Sequence, residues 1–246
     1  MEPTKPGAVS TAQFGVGSVL SRTLSTLTQK PIIFFGLALL AVLPAAIIEM
    51  LAPPPITTMD PIILIRGVLN MVLTLLVQGA TAYAAYQTLK GDPVSFGNAV
   101  SRGLARVGVV FVAALLMGVG IFLGTLLLII PGVILYCLWV VTIPVCMVEK
   151  LGPLQSMQRS QVLTKGYRLP IFGMLLLTFI ATFLLTAVIS LTIGVTAAFS
   201  AVTALILAFV LVIPQAFCNV MVSIIYYDLR AVKEGVTLDS LTKVFD

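Results

Sequence analysis

The side chains able to do chemistry are few, and they gather in two kinds of place. The first is a set near the ends of long apolar runs: Glu149, Arg159, Ser160, Lys165, Gly166, Arg168, Asp228 and Arg230. Glu149 and Asp228 each close an uncharged stretch, at an edge where a carboxylate is costly unless a cation neutralises it. Arg159, Arg168 and Arg230 are the cations at hand. Two chemistries fit this set: interfacial ion pairs that fix loops to helix ends, or a basic, headgroup-sized site for a phospholipid or phosphorylated ligand. Docking of a protein partner is the third use. The second kind of place is uncharged. Asn70 and Gln78 lie eight apart, nearly on one helical face, and Gln215 and Asn219 lie four apart on another. Within a membrane such residues hydrogen-bond between helices or line a polar transport path.

Much of the usual catalytic equipment is missing. The chain has no histidine, which removes the commonest general base and metal ligand and every His-dependent triad. The nine acidic residues stand mostly at loop positions, so a two-carboxylate hydrolase site is not expected. No phosphate-binding glycine loop, dinucleotide fingerprint or zinc spacing is present. Cys137, Cys146 and Cys218 all lie in apolar runs without metal-ligand spacing, where a free thiol behaves as a small hydrophobe. The expectation is a non-enzymatic protein with no metal and no cofactor.

The elements that must position these residues follow from where charge is absent. Residues 31–48, 67–89, 107–148 and 169–227 carry no Asp, Glu, Lys or Arg. About 20 apolar residues cross a bilayer, so the first two runs hold one span each and the last two hold two each. With 59% hydrophobic and 9% charged residues, the chain reads as an all-α polytopic membrane protein with six transmembrane helices. The expected spans are 31–49, 62–89, 107–130, 132–148, 169–193 and 198–227. Residues 1–12 read as a disordered lead with no secretory pattern, 13–230 as one membrane domain and 231–246 as a tail. Pro131-Gly132 is the expected break between the third and fourth spans, Gly194 the expected turn between the fifth and sixth, and Glu49 and Arg66 an expected pair at the outer face.

Three segments before odd-numbered spans have helical periodicity suited to the membrane surface. Their stripes are Val16, Val19, Leu20, Thr23, Leu24 and Leu27; then Phe96, Ala99, Val100, Gly103, Leu104 and Val107; and, more weakly, Leu154, Met157 and Val162. Gly166 is well placed to stop the third of these helices. Of the 14 Lys and Arg residues, all but Arg66 fall in the N-terminal segment, the 90–106 and 149–168 loops and the C-terminal tail. The positive-inside rule puts these segments, and both termini, in the cytoplasm. The net charge of +5 is spread over these short segments; anionic membrane lipids are therefore the expected partner, with a protein partner at the same face as the other option and no nucleic acid.

The order amphipathic helix, span, outer turn, span recurs over 13–89, 95–148 and 153–227, as a parallel triplication of hairpins would. The run Ile130-Pro131-Gly132-Val133-Ile134, then Pro144, Glu149, Gly152-Pro153-Leu154, Arg159-Ser160, Leu163-Thr164-Lys165-Gly166 and Arg168, resembles a known pattern. It is similar to prokaryotic membrane proteins related to the glycerophosphoryl diester phosphodiesterase membrane domain, including the YciC-type inner-membrane proteins. Tyr226-Tyr227-Asp228-Leu229-Arg230, Lys233-Glu234-Gly235 and Leu238 resemble that family's ending, and Leu89-Lys90-Gly91-Asp92-Pro93-Val94-Ser95 does so more loosely. The resemblance implies a six-helix domain of the prokaryotic plasma membrane without a catalytic role, concerned with lipid or envelope homeostasis. Some relatives carry a fused soluble phosphodiesterase domain; none is expected here, so that activity is not carried over. A small transporter or lipid translocator using the Asn70/Gln78 and Gln215/Asn219 faces is the alternative.

Overall fold

In lipid a backbone amide has no water to bond, so an apolar segment satisfies itself as a helix. The computed structural model describes residues 14–51, 61–194 and 201–235, and every element among them is α-helical. In chain order these are α1 (Val16–Gln29), α2 (Pro31–Leu51), α3 (Pro61–Lys90), α4 (Phe96–Leu127), α5 (Ile129–Trp139), α6 (Thr142–Val148), α7 (Pro153–Thr164), α8 (Arg168–Gly194) and α9 (Ala201–Glu234). The lead at 1–12, the triple-proline loop and the tail beyond Gly235 lie outside the described residues, as does the side chain of Glu49, on which the expected pairing with Arg66 rests.

Five helical segments are long and apolar enough to cross a membrane: Ile65–Lys90, Phe96–Leu127, Ile129–Val148, Arg168–Ile189 and Phe209–Glu234. A sixth is reached if α1 and the first part of α2, bent by 95°, count together. The bend sits at Lys30-Pro31. A residue before proline is driven out of the helical region, and Lys30 has φ −138° and ψ 62°.

Two boundaries depart from the sequence expectation. The amphipathic stretch at 96–107 is not a separate surface helix. It runs unbroken into the third span as α4, 32 residues or about 48 Å long. No proline interrupts it, and its Ser95 Oγ accepts the Asn98 N–H at 3.3 Å as an N-cap. The hairpin after it turns at Leu128, which is extended (φ −164°, ψ 148°), and not at Pro131-Gly132. Pro131 lies in the first turn of α5, where a missing N–H leaves no bond unmade. The fourth span is itself broken at Val140–Val141, between α5 and α6. Pro144 is the physical cause, since it has no N–H to bond back to the Val140 carbonyl and its ring crowds that oxygen. The three hairpin units are thus unlike in detail: bent at Pro31, continuous through α4, and separated by Lys165–Tyr167 before α8.

The helix α9 is the hub, packing against α1, α2, α3, α6, α7 and α8. Its Val220, Met221, Ile224, Ile225, Tyr226 and Leu229 are buried with Phe34, Leu37 and Leu163 in the main core. Only 17% of the apolar window of α4, and of α8, is buried, against 50% for α9. Leu115, Phe122 and Leu126 on α4 and Phe179, Phe183 and Val188 on α8 are exposed, an outer surface that suits lipid rather than water.

Small residues set the closest contacts. A Cβ on Gly120 would lie 2.7 Å from the Trp139 ring, and one on Gly124 would lie 2.8 Å from Leu135 and 3.3 Å from the Gly132 backbone. The Gly120/Gly124 pair therefore seats α5 against α4 within one chain. Gly132 is needed for the same contact and not for a turn: its Cβ would fall 3.0 Å from Cα and Cβ of Thr125. Overpacking of this kind costs about 1–3 kcal/mol. Gly132→Ala is expected to lower the thermal unfolding midpoint of purified protein, whereas Gly108→Ala, facing open space, is expected to leave it within error.

Candidate functional site

The charged edge is assembled by a tight reversal after α6. Glu149 caps α6, its N–H donating to Val145 O at 2.9 Å. Lys150 then takes the left-handed conformation (φ 55°), and Gly152-Pro153 opens α7, with Pro153 at the first helical position. This brings Arg159 back over Glu149: Nε donates to Oε2 at 2.9 Å and to Oε1 at 3.3 Å. From α9, the Tyr226 hydroxyl donates to Glu149 Oε1 at 3.0 Å and accepts from Arg230 Nη1 at 3.3 Å. Arg230 Nε pairs with Glu234 Oε2 at 2.9 Å, and Glu234 also pairs with Arg159. The Arg106 guanidinium donates to Leu151 O at 3.1 Å and holds the reversal against α4.

Asp228 takes a different partner. It is 4% exposed and pairs with Arg22 of α1, whose guanidinium also lies over the Tyr227 ring, 5.5 Å from its centroid. The three acids Glu149, Asp228 and Glu234 are thus met by the three arginines Arg22, Arg159 and Arg230. These pairs leave no net charge to offer a ligand. Their geometry ties α1, α6 and α7 to the end of the hub helix.

Other residues of the expected site fall elsewhere. Ser160 is fully buried, and its Oγ donates to Leu138 O at 2.8 Å; Thr164 Oγ1 approaches the same carbonyl at 3.4 Å. The Ser160 hydroxyl thus bonds backbone next to the break between α5 and α6, while Thr164 Oγ1 has its nearer acceptor in Ser160 O at 2.9 Å. Gly166 (φ 91°) reverses the chain after α7. Lys165 and Arg168 are exposed on either side of it. Lys233 Nζ donates to Val162 O at 2.7 Å, which brings it to the end of α7, where Lys165 and Arg168 follow in the chain. Among the described residues these three cations form no salt bridge.

On α7 the apolar stripe of the sequence reading and the face buried in the bundle coincide only in part. Met157 is buried, but Leu154 and Val162 are 63% and 57% exposed, and the buried face is Ser156, Met157, Ser160, Leu163 and Thr164. Small residues four apart let α7 approach the backbone at the break, and Ser160 bonds to it.

Of the four interior polar residues, two converge. Gln78 and Asn219 line one cavity of about 170 Å³ together with residues of α4, α5 and α6. Asn70 is exposed on α3, and Gln215, partly buried, is not on that wall. Sequence reasoning missed Arg22, Tyr226, Lys233 and Glu234 as site members. Only Glu234 left a readable signal, four residues after Arg230 on one helix face. Among the described residues no three of His, Cys, Asp or Glu gather as metal ligands.

Comparison of the chain with protein-family models, curated proteins and solved structures gives no match. The site is therefore read from its own geometry. An unpaired buried carboxylate destabilises by about 3 kcal/mol, so Arg22→Gln is expected to lower the unfolding midpoint and to increase proteolysis of α1. Adding Asp228→Asn should restore most of the loss. A double variant as unstable as the sum of the two single variants would show that the pair does not hold α1.

Proposed function

We propose that this protein is a non-enzymatic, six-span membrane module of the prokaryotic plasma membrane that binds anionic lipid headgroups at its cytoplasmic face, in membrane or envelope homeostasis. Kinship with the six-helix family resembled by residues 130–168 and the 226–238 ending belongs to the same reading. In it α2, 21 residues or about 31 Å long, is the first span, and α1 lies across it in the interfacial plane. The pattern suits that position: Val19, Thr23, Thr26 and Leu27 dock on the protein, while Val16 and Leu24 are left exposed. The distribution of Lys and Arg supports both termini on the cytoplasmic side.

The observation that carries the headgroup reading is the division of the edge cations. Arg22, Arg159 and Arg230 are occupied by acids, whereas Lys165, Arg168 and Lys233 share one rim without a described acid partner. Cations held near one another without neutralisation suit a phosphate-bearing lipid. Lys165 and Arg168 belong to the expected binding set and Lys233 joins it. Glu149, Arg159, Asp228 and Arg230 become the frame that positions them, and Ser160 and Gly166 shape α7. A cytoplasmic protein partner docking on this rim is the other use of the same charge.

The competing reading, a small transporter or lipid translocator, draws on one specific observation: Gln78 and Asn219 meet at a cavity beside a broken helix, as midplane sites of transporters do. The two readings separate at the rim. Lys165→Gln/Arg168→Gln/Lys233→Gln protein, reconstituted with mixed phosphatidylglycerol and phosphatidylcholine, is expected to lose roughly tenfold of its preference for phosphatidylglycerol among lipids retained on re-extraction. Arg159→Gln should leave that preference in place. An unchanged preference in a folded triple variant overturns the headgroup reading.

A further inference from the structure

The cavity beside the break in the fourth span has a composition that the edge site does not explain. Its wall takes Gln78 from α3, Tyr136 and Val140 from the end of α5, Pro144 from α6, and Cys218 and Asn219 from α9. Asn219 stands nine residues before Asp228, about 14 Å deeper along the helix, near the middle of a hydrocarbon core about 30 Å thick. It is 8% exposed, and its Nδ2 is buried without a hydrogen-bond partner. Ser223, on the same wall, is already satisfied by donating to Asn219 O at 2.9 Å. An amide donor left unmade in apolar surroundings carries a penalty of several kcal/mol, so this one calls for an acceptor from outside the protein.

The wall also limits what that acceptor is. It contains no Asp, Glu, Lys or Arg, so an ion would enter at this depth without a counter-charge, which is strongly disfavoured. A single water needs roughly 10–15 Å³ of such space, and the cavity offers about 170 Å³. Two amides, Gln78 and Asn219, provide donors and acceptors on neighbouring walls, with Met117, Val140 and Ile143 as an apolar lining between. That combination suits a molecule of several heavy atoms with a neutral polar group and a small apolar body. The break in the backbone belongs to the same place. Pro144 cannot bond to the Val140 carbonyl, and both residues are on the wall.

We infer that this cavity is an intramembrane binding site for an uncharged hydrogen-bonding group, a hydroxyl or amide, recognised by Asn219 and Gln78. The group is carried either by a small free solute or by a lipid. The inference is independent of the headgroup reading at the rim, because it shares no residue with it.

Cys218, on the cavity wall and part-exposed, is a built-in reporter. In full-length Cys137→Ala/Cys146→Ala protein, reconstituted in phosphatidylcholine vesicles, its modification by uncharged 2-hydroxyethyl methanethiosulfonate is timed. It is timed alone, with urea or ethylene glycol as free solutes, and with monoolein as the lipid-borne probe. Modification is expected, with protection by at least one probe; protection by urea or ethylene glycol assigns a free solute, and protection by monoolein alone assigns a lipid. Loss of one hydrogen bond should weaken that protection about tenfold in Asn219→Leu and in Gln78→Leu. The milder Gln78→Leu keeps the test open if Asn219→Leu fails to fold. A Cys218 that never reacts overturns the site, and a Cys218 that reacts without protection by any probe reduces it to water alone and also overturns the inference. Protection that survives both leucine variants overturns the assignment to the two amides.

Discussion

A carboxylate at the edge of a bilayer is tolerated only with a cation and hydrogen bonds around it, and the charged end of this helical bundle is organised by meeting that condition. Glu149 ends α6, and Asp228 lies in the last turns of α9. To neutralise Glu149, the chain reverses through Lys150 in a left-handed conformation and lays α7 back so that Arg159 reaches it. To neutralise Asp228, α1 must lie across the bundle with Arg22 inward. Glu234 closes the network by taking Arg159 and Arg230 together. Removing Asp228 would leave Arg22 and α1 without this tie, whereas without Glu149 Arg159 would keep Glu234. Lys165 follows α7 and Lys233 stands on α9, the two helices that Arg159 and Glu234 join, and Arg168 opens α8 just beyond Gly166.

Inside the bundle a different rule governs. Lipid tails are as apolar as leucine, so burial of large side chains does not draw helices together, and close approach of small residues does. The contacts obey this. Gly103 lets α4 come within contact of the α3 backbone, where an added Cβ would meet Leu76 O at 2.9 Å. Ser156, Ser160 and Thr164, all fully buried, do the same for α7. The large apolar residues of α4 and α8 face outward instead.

That rule explains what was legible in the chain. Charge-free runs located the spanning segments, because a charge within a span is excluded by the same energetics that define the span. The periodic stripe at the start of α4 does not separate the residues that pack on the protein from those that do not, because small and large apolar residues share it. Phe96 and Leu104 are exposed while Ala99 and Gly103 are buried. The break in the fourth span was present in the sequence as Pro144 but concealed by an uninterrupted apolar run. At the edge, the clustering of acids and arginines could be read from position along the chain. Which arginine takes which acid could not, since Arg22 and Asp228 are 206 residues apart. Convergence of Gln78 and Asn219 likewise depends on which faces of α3 and α9 meet, and spacing within one helix carries no such information.

Arg22, Arg159 and Arg230 are taken up by acids, whereas among the described residues Lys165, Arg168 and Lys233 form no salt bridge, and the proposed headgroup binding depends on that division. Native mass spectrometry of the unaltered protein, released gently from its own membrane, tests this most directly. A defined adduct with the mass of an anionic phospholipid is expected, retained at collision energies that strip neutral lipid. A protein that emerges bare, or with neutral lipids held as firmly as anionic ones, would contradict the proposed binding.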